Sequence, residues 1–456
     1  MKVLVLNPPA YGKKFTREGR CQSESDTWLE NFPPSTLASI AGAVREKYDT
    51  KLIDCIGSNL SFEKMMDLVK KFNPNFTIIN TSTPTIDLDI KTASEIKKLG
   101  SKIIMYGEHI TARYKDLIKN KELDYAVIGE PETPIMRILE NKPKAKGVAF
   151  DDFDGGVWQE PDLDKLPFPA YDLLPDYKYP LTLEKWTFVR SGRGCPFGCI
   201  YCVVPLMSGR KARYHSTEYM LKQLQWLDSI GIHTWMFWDE LATLNKQRML
   251  DICEGIIKLG LNKRNNWFCT TRVDVFDEDL AKNMSKANCT MLAFGLESGN
   301  QKVLDENKKQ ITLEQSRKAV KLAKKYKMRT IGHFILGLPG SSEKTERQTI
   351  KLAKELKLDF AQFYIATPFP GSQFYSMVQK NNWFKDQKWK KVEQGSVAIS
   401  YPNFPSSRIH YMRRKAYTSF YLRPSAIIRG LTAMSPKAIL KMPFSYIPTF
   451  FRWMLK

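Results

Sequence analysis

The sequence predicts an α/β protein built as two parallel series, and three observations carry that prediction. Short apolar runs alternate with helix-compatible stretches from residue 1 to about 135, and again from about 186 to 370. An acidic, Pro-rich passage without periodicity separates them. Alternating strand and helix signals are what a parallel sheet covered by helices requires. The 456-residue chain is long enough for several structural units, and its 43% hydrophobic and 12% aromatic content excludes a disordered protein.

In the first series the strand runs are 3–6, 51–55, 76–80, 102–106 and 125–128, with helical stretches such as 35–47, 62–72 and 89–99 between them. Five such runs read as a doubly wound, five-stranded parallel sheet over 1–140. Its ligands are expected at the carboxyl ends of the strands. There stand Asn7-Pro8-Pro9, Thr81-Ser82-Thr83, Gly107-Glu108-His109 and Gly129-Glu130-Pro131-Glu132. The opening run, cut off by Asn7-Pro8-Pro9, reads as a buried strand rather than a signal peptide. Residues 141–185, with Asp151-Asp152-Phe153-Asp154 and Leu166-Pro167-Phe168-Pro169, read as a linker packed across both units.

The second series, 186–375, has strand runs at 186–190, 234–238, 267–271, 291–295, 330–336 and 360–366. Helical stretches follow at 217–229, 246–259, 277–287, 313–325 and 343–356. Six units are fewer than the eight of a closed barrel. The series therefore predicts a partial (β/α)6 barrel with its chemistry at the strand carboxyl ends.

Region 376–456 is expected to be mainly helical, basic and aromatic. After Glu393 there is no acidic residue, and the tail holds +10 of the formal net charge of +22. Three readings compete for it. A membrane-surface segment would set Ile427, Ile428, Leu431, Ile439, Leu440 and Met442 on one face beside Arg429, Lys437 and Lys441. Alternatively, Arg413, Arg414 and Tyr421-Leu422-Arg423-Pro424 pack on the barrel. Nucleic-acid binding through cations and stacked aromatics is the least favoured. Pro424, Pro436, Pro443 and Pro448 cut the region into pieces too short to span a bilayer. The preferred expectation is a cytoplasmic protein with a peripheral contact to an anionic membrane through 394–456.

Eight cysteines are too sparse for a disulfide scaffold, yet Cys195, Cys199 and Cys202 crowd into one loop after the first strand of the second series. Thiolates are soft ligands, and glycines at 192, 194 and 198 let the loop turn around a common centre. A structural zinc site would want a fourth ligand nearby, and none is adjacent.

The Cys195-x3-Cys199-x2-Cys202 spacing resembles the radical S-adenosylmethionine (SAM) superfamily. That resemblance implies a 4Fe-4S cluster on the three cysteines, with SAM bound at the open iron. Tyr201 matches an aromatic residue placed against adenine. Asp239 and Glu240, in Phe237-Trp238-Asp239-Glu240, stand where many members contact the methionyl amine. Arg272, Glu297 and Gly337 fall in Thr271-Arg272-Val273-Asp274, Phe294-Gly295-Leu296-Glu297 and Gly337-Leu338-Pro339-Gly340, which look like the family's remaining strand-end segments.

The amino-terminal unit resembles the cobalamin-binding module of the same family, in the class of anaerobic Mg-protoporphyrin ester cyclases and lipid C-methyltransferases. It implies cobalamin contacts from Asn7, Pro8, Thr81, Ser82, Gly107, Glu108, His109, Gly129 and Glu130. Two features depart from that pattern: no Asp-x-His-x-x-Gly loop supplies an axial histidine, and Glu108 replaces the second glycine of a Gly-Gly pair. The resemblance implies methylation of an unactivated carbon on a hydrophobic lipid, isoprenoid or tetrapyrrole substrate, with a reducing electron donor. Oxidative ring closure is the alternative within the family. A tRNA methylthiotransferase and a non-catalytic iron–sulfur membrane adaptor are the further alternatives. No catalytic residue beyond these is assigned.

Overall fold

The computed structural model describes residues 1–12, 15–18, 21–24, 32–119 and 123–441. The first sheet has β1 (Lys2–Asn7), β2 (Asp49–Asp54), β3 (Phe76–Asn80), β4 (Lys102–Tyr106) and β5 (Tyr125–Val127), all parallel, in the order β2-β1-β3-β4-β5. The order reverses between β1 and β3, which is where such sheets open a crevice at their carboxyl edge. Val3, Leu4, Val5 and Leu6 are all fully buried because helices cover both faces of the sheet.

Five parallel strands were expected, and the sheet has seven. Val148–Phe150 and Phe153–Asp154 add two short antiparallel strands beside β5. They fall in the passage that reads as linker. Three- and two-residue strands are too short to produce an alternation visible in sequence. Further along, residues 166–171 pack across both units. The Ala170 N–H donates to the Ala38 carbonyl, and the Tyr171 hydroxyl donates to the Phe188 carbonyl at 2.6 Å.

The second sheet is the expected open barrel of six parallel strands in sequential order. They are β6 (Trp186–Val189), β7 (Thr234–Phe237), β8 (Asn266–Thr271), β9 (Cys289–Glu297), β10 (Arg329–Leu336) and β11 (Phe360–Ile365). Period-2 alternation divides their side chains. Trp235, Phe237, Trp267, Leu292, Phe334 and Phe363 point outward into the core shared with the helices. Phe188, Met236, Phe268, Met291 and Phe360 point into the barrel.

An open barrel leaves a free edge at β11, and the tail satisfies it. On helix Ser406–Tyr421, the Tyr421 hydroxyl accepts from Ala361 N–H and donates to its carbonyl, at 2.9 and 2.8 Å. Tyr417, one turn earlier, does the same at Phe363, at 2.8 and 3.2 Å. Two hydroxyls thus stand in for a seventh strand. Buried Arg413 also packs on the barrel, as one reading expected, whereas Arg414 is exposed. Helices Pro424–Ala433 and Pro436–Lys441 follow, and Met442, Pro443 and Pro448 lie outside the described residues with the rest of the tail.

Candidate active site at the mouth of the barrel

The loop that follows β6 carries the three cysteines, and buried contacts fix its first turn. The Asp239 carboxylate, at the end of β7, accepts from the Ser191 and Gly192 N–H groups at 2.6 and 3.0 Å and from the Ser191 hydroxyl. Arg248 holds the other side, donating to the Ser191 carbonyl at 2.9 Å and to the His215 carbonyl at 2.8 Å. Gly194 has φ +90°, and a side chain there would meet the Lys211 carbonyl oxygen at 2.3 Å. Only glycine permits that turn.

Beyond it, Cys195, Cys199 and Cys202 are half-buried thiols lining one end of a cavity of about 270 Å³ inside the barrel. Among the described residues, no three His, Cys, Asp or Glu side chains converge on a single ion position. Three thiols around a cavity end suit a polynuclear cluster, in which each thiolate takes its own metal atom.

Four of the residues expected to bind SAM share this cavity: Tyr201, Glu240, Arg272 and Glu297. Arg272 is 4% exposed; it pairs with Asp274 through two 2.9 Å contacts and donates to the Lys309 and Gln310 carbonyls. Its guanidinium lies 3.6 Å from the ring centre of Phe197, inside the cysteine loop. Glu297 sits at a bulge in the β9–β10 pairing with φ +59°, a left-handed conformation that disfavours any side chain. Its carboxylate meets Lys309 Nζ at 2.7 Å. Burial pushes the Tyr201 phenol well above its ordinary value.

Asp239 and Gly337 do not line the cavity. Asp239 is committed to the loop brace. Gly337, at φ +78°, donates to Glu346 at 2.8 Å and accepts from the Tyr401 hydroxyl at 2.8 Å, beneath Ile409. The sequence reading missed Lys309, Phe197, Thr270, His333, Gln362 and Gln394, all of which line the cavity. The inward alternation of β8, β10 and β11 was the signal for Thr270, His333 and Gln362.

The residues expected to contact cobalamin gather at the carboxyl edge of the first sheet, which faces the barrel mouth. Most are engaged. Asn7 bridges Asp54 and Arg17, and Arg17 also takes the Pro8 carbonyl at 2.7 Å and pairs with Asp89 at 2.8 Å. Thr81 and Ser82 are fully buried, and the Ser82 hydroxyl pairs with Thr85. Gly107, at φ +131°, backs onto the Thr81 carbonyl, where a side chain would meet oxygen at 2.2 Å. Gly129 donates to Thr111 at 3.0 Å.

Glu130 pairs with Arg213 at 2.6 Å, and Glu132 with Arg193 at 2.6 Å, so ion pairs tie the first sheet to the hairpin that carries the cysteine loop. Burial raises Glu132, but Arg193 and Ser39 bring its carboxyl down to about 2. Burial pushes the neighbouring Glu108 up to about 8 and, helped by Arg113, pushes His109 down to about 3. His109 stacks edge-on against Trp389, 4.8 Å away, and its Nδ1 lies 3.3 Å from the Thr83 hydroxyl.

A gap of about 50 Å³ remains between this edge and the barrel, and it shares Val203, Val204 and Glu240 with the large cavity. Asn80 Nδ2 and the Tyr106 hydroxyl line the gap, buried and without a hydrogen-bond partner. Unsatisfied buried donors are costly, so they mark a place for a ligand that accepts hydrogen bonds. The amide-rimmed corrin of cobalamin is such a ligand by donor chemistry.

An open six-stranded barrel with a braced three-cysteine loop at its carboxyl mouth, behind a parallel sheet, defines the architecture of a radical SAM enzyme. Residues 189–353 match the model of the radical SAM superfamily. An uncharacterized methyltransferase of Pyrococcus horikoshii is 35% identical over 94% of this chain and 95% of its own length. The chain belongs to the radical SAM superfamily and is an enzyme of it.

The anaerobic magnesium-protoporphyrin IX monomethyl ester cyclase of Cereibacter sphaeroides is 25% identical over 75% of this chain and 59% of its own. Among solved structures, the radical SAM methyltransferase TsrM of Kitasatospora setae, bound to cobalamin and a 4Fe-4S cluster, superposes with a TM-score of 0.72. It shares 14% identity over 94% of this chain and 90% of that one, which is a likeness of fold.

Proposed function

We propose that the protein is a cobalamin-dependent radical SAM enzyme that methylates an unactivated carbon of a hydrophobic substrate. The observation that carries this reading is the set of three thiols at the polar end of a largely apolar barrel cavity. Cys195, Cys199 and Cys202 would hold a 4Fe-4S cluster, with SAM among Tyr201, Glu240, Arg272 and Glu297. Asn80, Tyr106 and Glu108 would line the cobalamin side, together with the strand-end residues from Asn7 to Glu130 named above. When bound, the cluster supplies the electron that cleaves SAM reductively, and cobalamin carries the methyl group.

The chain's own part is positional. Asp239 and Arg248 hold the loop that presents the thiols. Arg272, fixed by Asp274, sets the rim through Phe197. Glu240 and Glu297 would offer carboxylates to the methionyl ammonium of SAM. Aromatic walls exclude water from a reactive radical.

Anaerobically reconstituted protein with dithionite and SAM is expected to form 5′-deoxyadenosine, and Cys199→Ala to form none. A fully loaded cluster that yields no product would sink the reading. Oxidative cyclisation is the second reading, favoured by the cyclase relative. A methyl-labelled SAM separates the two, because only methylation moves the label into product.

A peripheral contact with an anionic membrane is the finer reading of the tail. Ile427 and Ile428 on one terminal helix and Ile439 and Leu440 on the next are exposed, Leu440 at 76%, beside exposed Lys437 and Lys441. Apolar groups flanked by cations suit a lipid headgroup layer. Among the described residues, no helix is long and apolar enough to cross a membrane. Ile428→Ser with Leu440→Ser should release the protein from phosphatidylserine vesicles; unchanged binding would refute the contact.

A further inference from the structure

The barrel cavity is graded along its length. At the mouth, beside the cysteines, lie Glu240, Arg272, Glu297 and Lys309. Below them, Thr270, His333 and Gln362 form a polar belt, with His333 and Gln362 in register on neighbouring strands. The Gln362 Oε1 is buried without a hydrogen-bond partner.

Below His333 and Gln362 the strand residues that line the cavity are apolar except for Thr270. Phe188, Met236, Phe268 and Met291 stand in register across β6 to β9. Ala293, Ile331 and Phe360 stand together one step higher, in the line of Thr270. Tyr179, Leu181 and Phe32 form the floor, with Ala433 packed behind. From Met291 to Glu297 the wall rises about 20 Å, taking ~3.3 Å per residue. A water-soluble metabolite gains nothing from such a wall, since a polar group buried there loses its hydration without a partner to replace it. Each methylene removed from water is instead stabilising.

Resting on the enzyme class proposed above, we infer that the lower half of the barrel is a binding site for a hydrocarbon chain of the substrate. The chain points at the floor. The belt of Thr270, His333 and Gln362 receives the single polar group that sets which carbon stops below the cysteines. The substrate class is therefore a linear amphiphile, an acyl or prenyl chain with one uncharged polar function, and not a planar macrocycle. A chain needs only apolar contact there, and Met236, Phe268, Met291, Ile331 and Phe360 offer no hydrogen-bonding side chain to the edge of a macrocycle. The floor lies directly under the terminal helices, joined to them where the Ser435 N–H donates to the Leu181 carbonyl at 2.7 Å. The distal end of the chain thus faces the segment that exposes Ile427 and Ile428.

The test is binding of a fluorescent polyene fatty alcohol to the full chain, with protoporphyrin monomethyl ester as rival probe. The alcohol should bind saturably at one site, and the porphyrin should not displace it. Ala293→Phe, which plugs the cavity, should weaken the alcohol about tenfold. Met291→Gln, nearly equal in volume but polar, should weaken it comparably and guards against misfolding of the bulkier variant. No saturable binding, wild-type affinity in both variants, or displacement by the porphyrin would each overturn the hydrocarbon site. Formation of 5′-deoxyadenosine, measured on the same wild-type sample, judges the enzyme class separately. Product without alcohol binding defeats only the chain site, and alcohol binding without product leaves the chain site standing.

Discussion

The carboxyl edge of the first sheet and the mouth of the barrel carry similar polar residues but use them differently. At the edge nearly every charge is matched: Arg17 with Asp89, Arg193 with Glu132, Arg213 with Glu130. Little space remains, about 50 Å³. At the mouth the ionic residues stand around an open cavity five times larger, and one of them, Glu297, is held in a strained backbone conformation. Two of these pairs, Arg193 with Glu132 and Arg213 with Glu130, lock the first sheet to the hairpin that carries the cysteine loop. Pairing at the mouth keeps groups aimed at space that a ligand would fill. Substitutions at the edge should therefore appear in stability, and those at the mouth in SAM chemistry.

The largest effect is expected where the lock is broken. Arg193→Ala leaves Glu132 buried without its cation, and removing one partner of a buried pair costs about 3–5 kcal/mol. Chemical denaturation should show that loss. A fall below about 1 kcal/mol would mean that the edge is not the lock described here. At the mouth, Lys309→Met strips buried Glu297 of its cation and should cost stability too, but less, because that pair faces a cavity rather than packed protein. It should lower 5′-deoxyadenosine formation by about a hundredfold, near 2.7 kcal/mol, because Glu297 loses the cation that orients it. Lys309→Arg should recover part of the rate. A stability loss without a rate loss would erase the distinction between the two regions.

Much of this contrast was legible in the sequence. Apolar runs located all eleven parallel strands, because strands buried on a helix-covered face must be apolar whatever their neighbours are. The cysteine loop was legible because its ligand spacing is local. Asp239 was legible as a strand-end acid but not as a brace, since its partners Ser191 and Gly192 are 48 and 47 residues away. Lys309 was one of many lysines until folding brought it to Glu297. Tyr417 and Tyr421 read as part of an aromatic tail, because the unpaired edge of β11 that they satisfy exists only in three dimensions. The short strands after residue 147 were too brief to leave a period.

A subtler measure of the edge is its pH dependence. Burial pushes Glu108 up to about 8 from its ordinary 4.5. The native state then keeps a proton that the unfolded chain releases between those values. Stability falls as pH rises through that window and levels off above it. Glu108→Gln should shrink the drop between pH 5 and pH 8 by on the order of 2 kcal/mol. Glu346, raised to about 7 by burial, titrates with the same sign and should leave a residual slope. An unchanged slope in the variant would mean that Glu108 is ionised in the fold.

The smallest effect probes the strain at the mouth. Glycine in place of alanine ordinarily destabilises a folded chain, since it loses more conformational entropy on folding. At residue 297 the order should invert. Glu297→Gly and Glu297→Ala both remove the carboxylate and leave Lys309 without its partner, so the electrostatic loss cancels between them. What remains is the backbone at φ +59°, which glycine adopts freely and alanine at a cost of about 1 kcal/mol. The glycine variant should therefore unfold at higher denaturant than the alanine variant, with both impaired in SAM cleavage. If alanine proved the more stable, the bulge would not be strained. The carboxylate would then be held at the cavity by its ion pair with Lys309 alone.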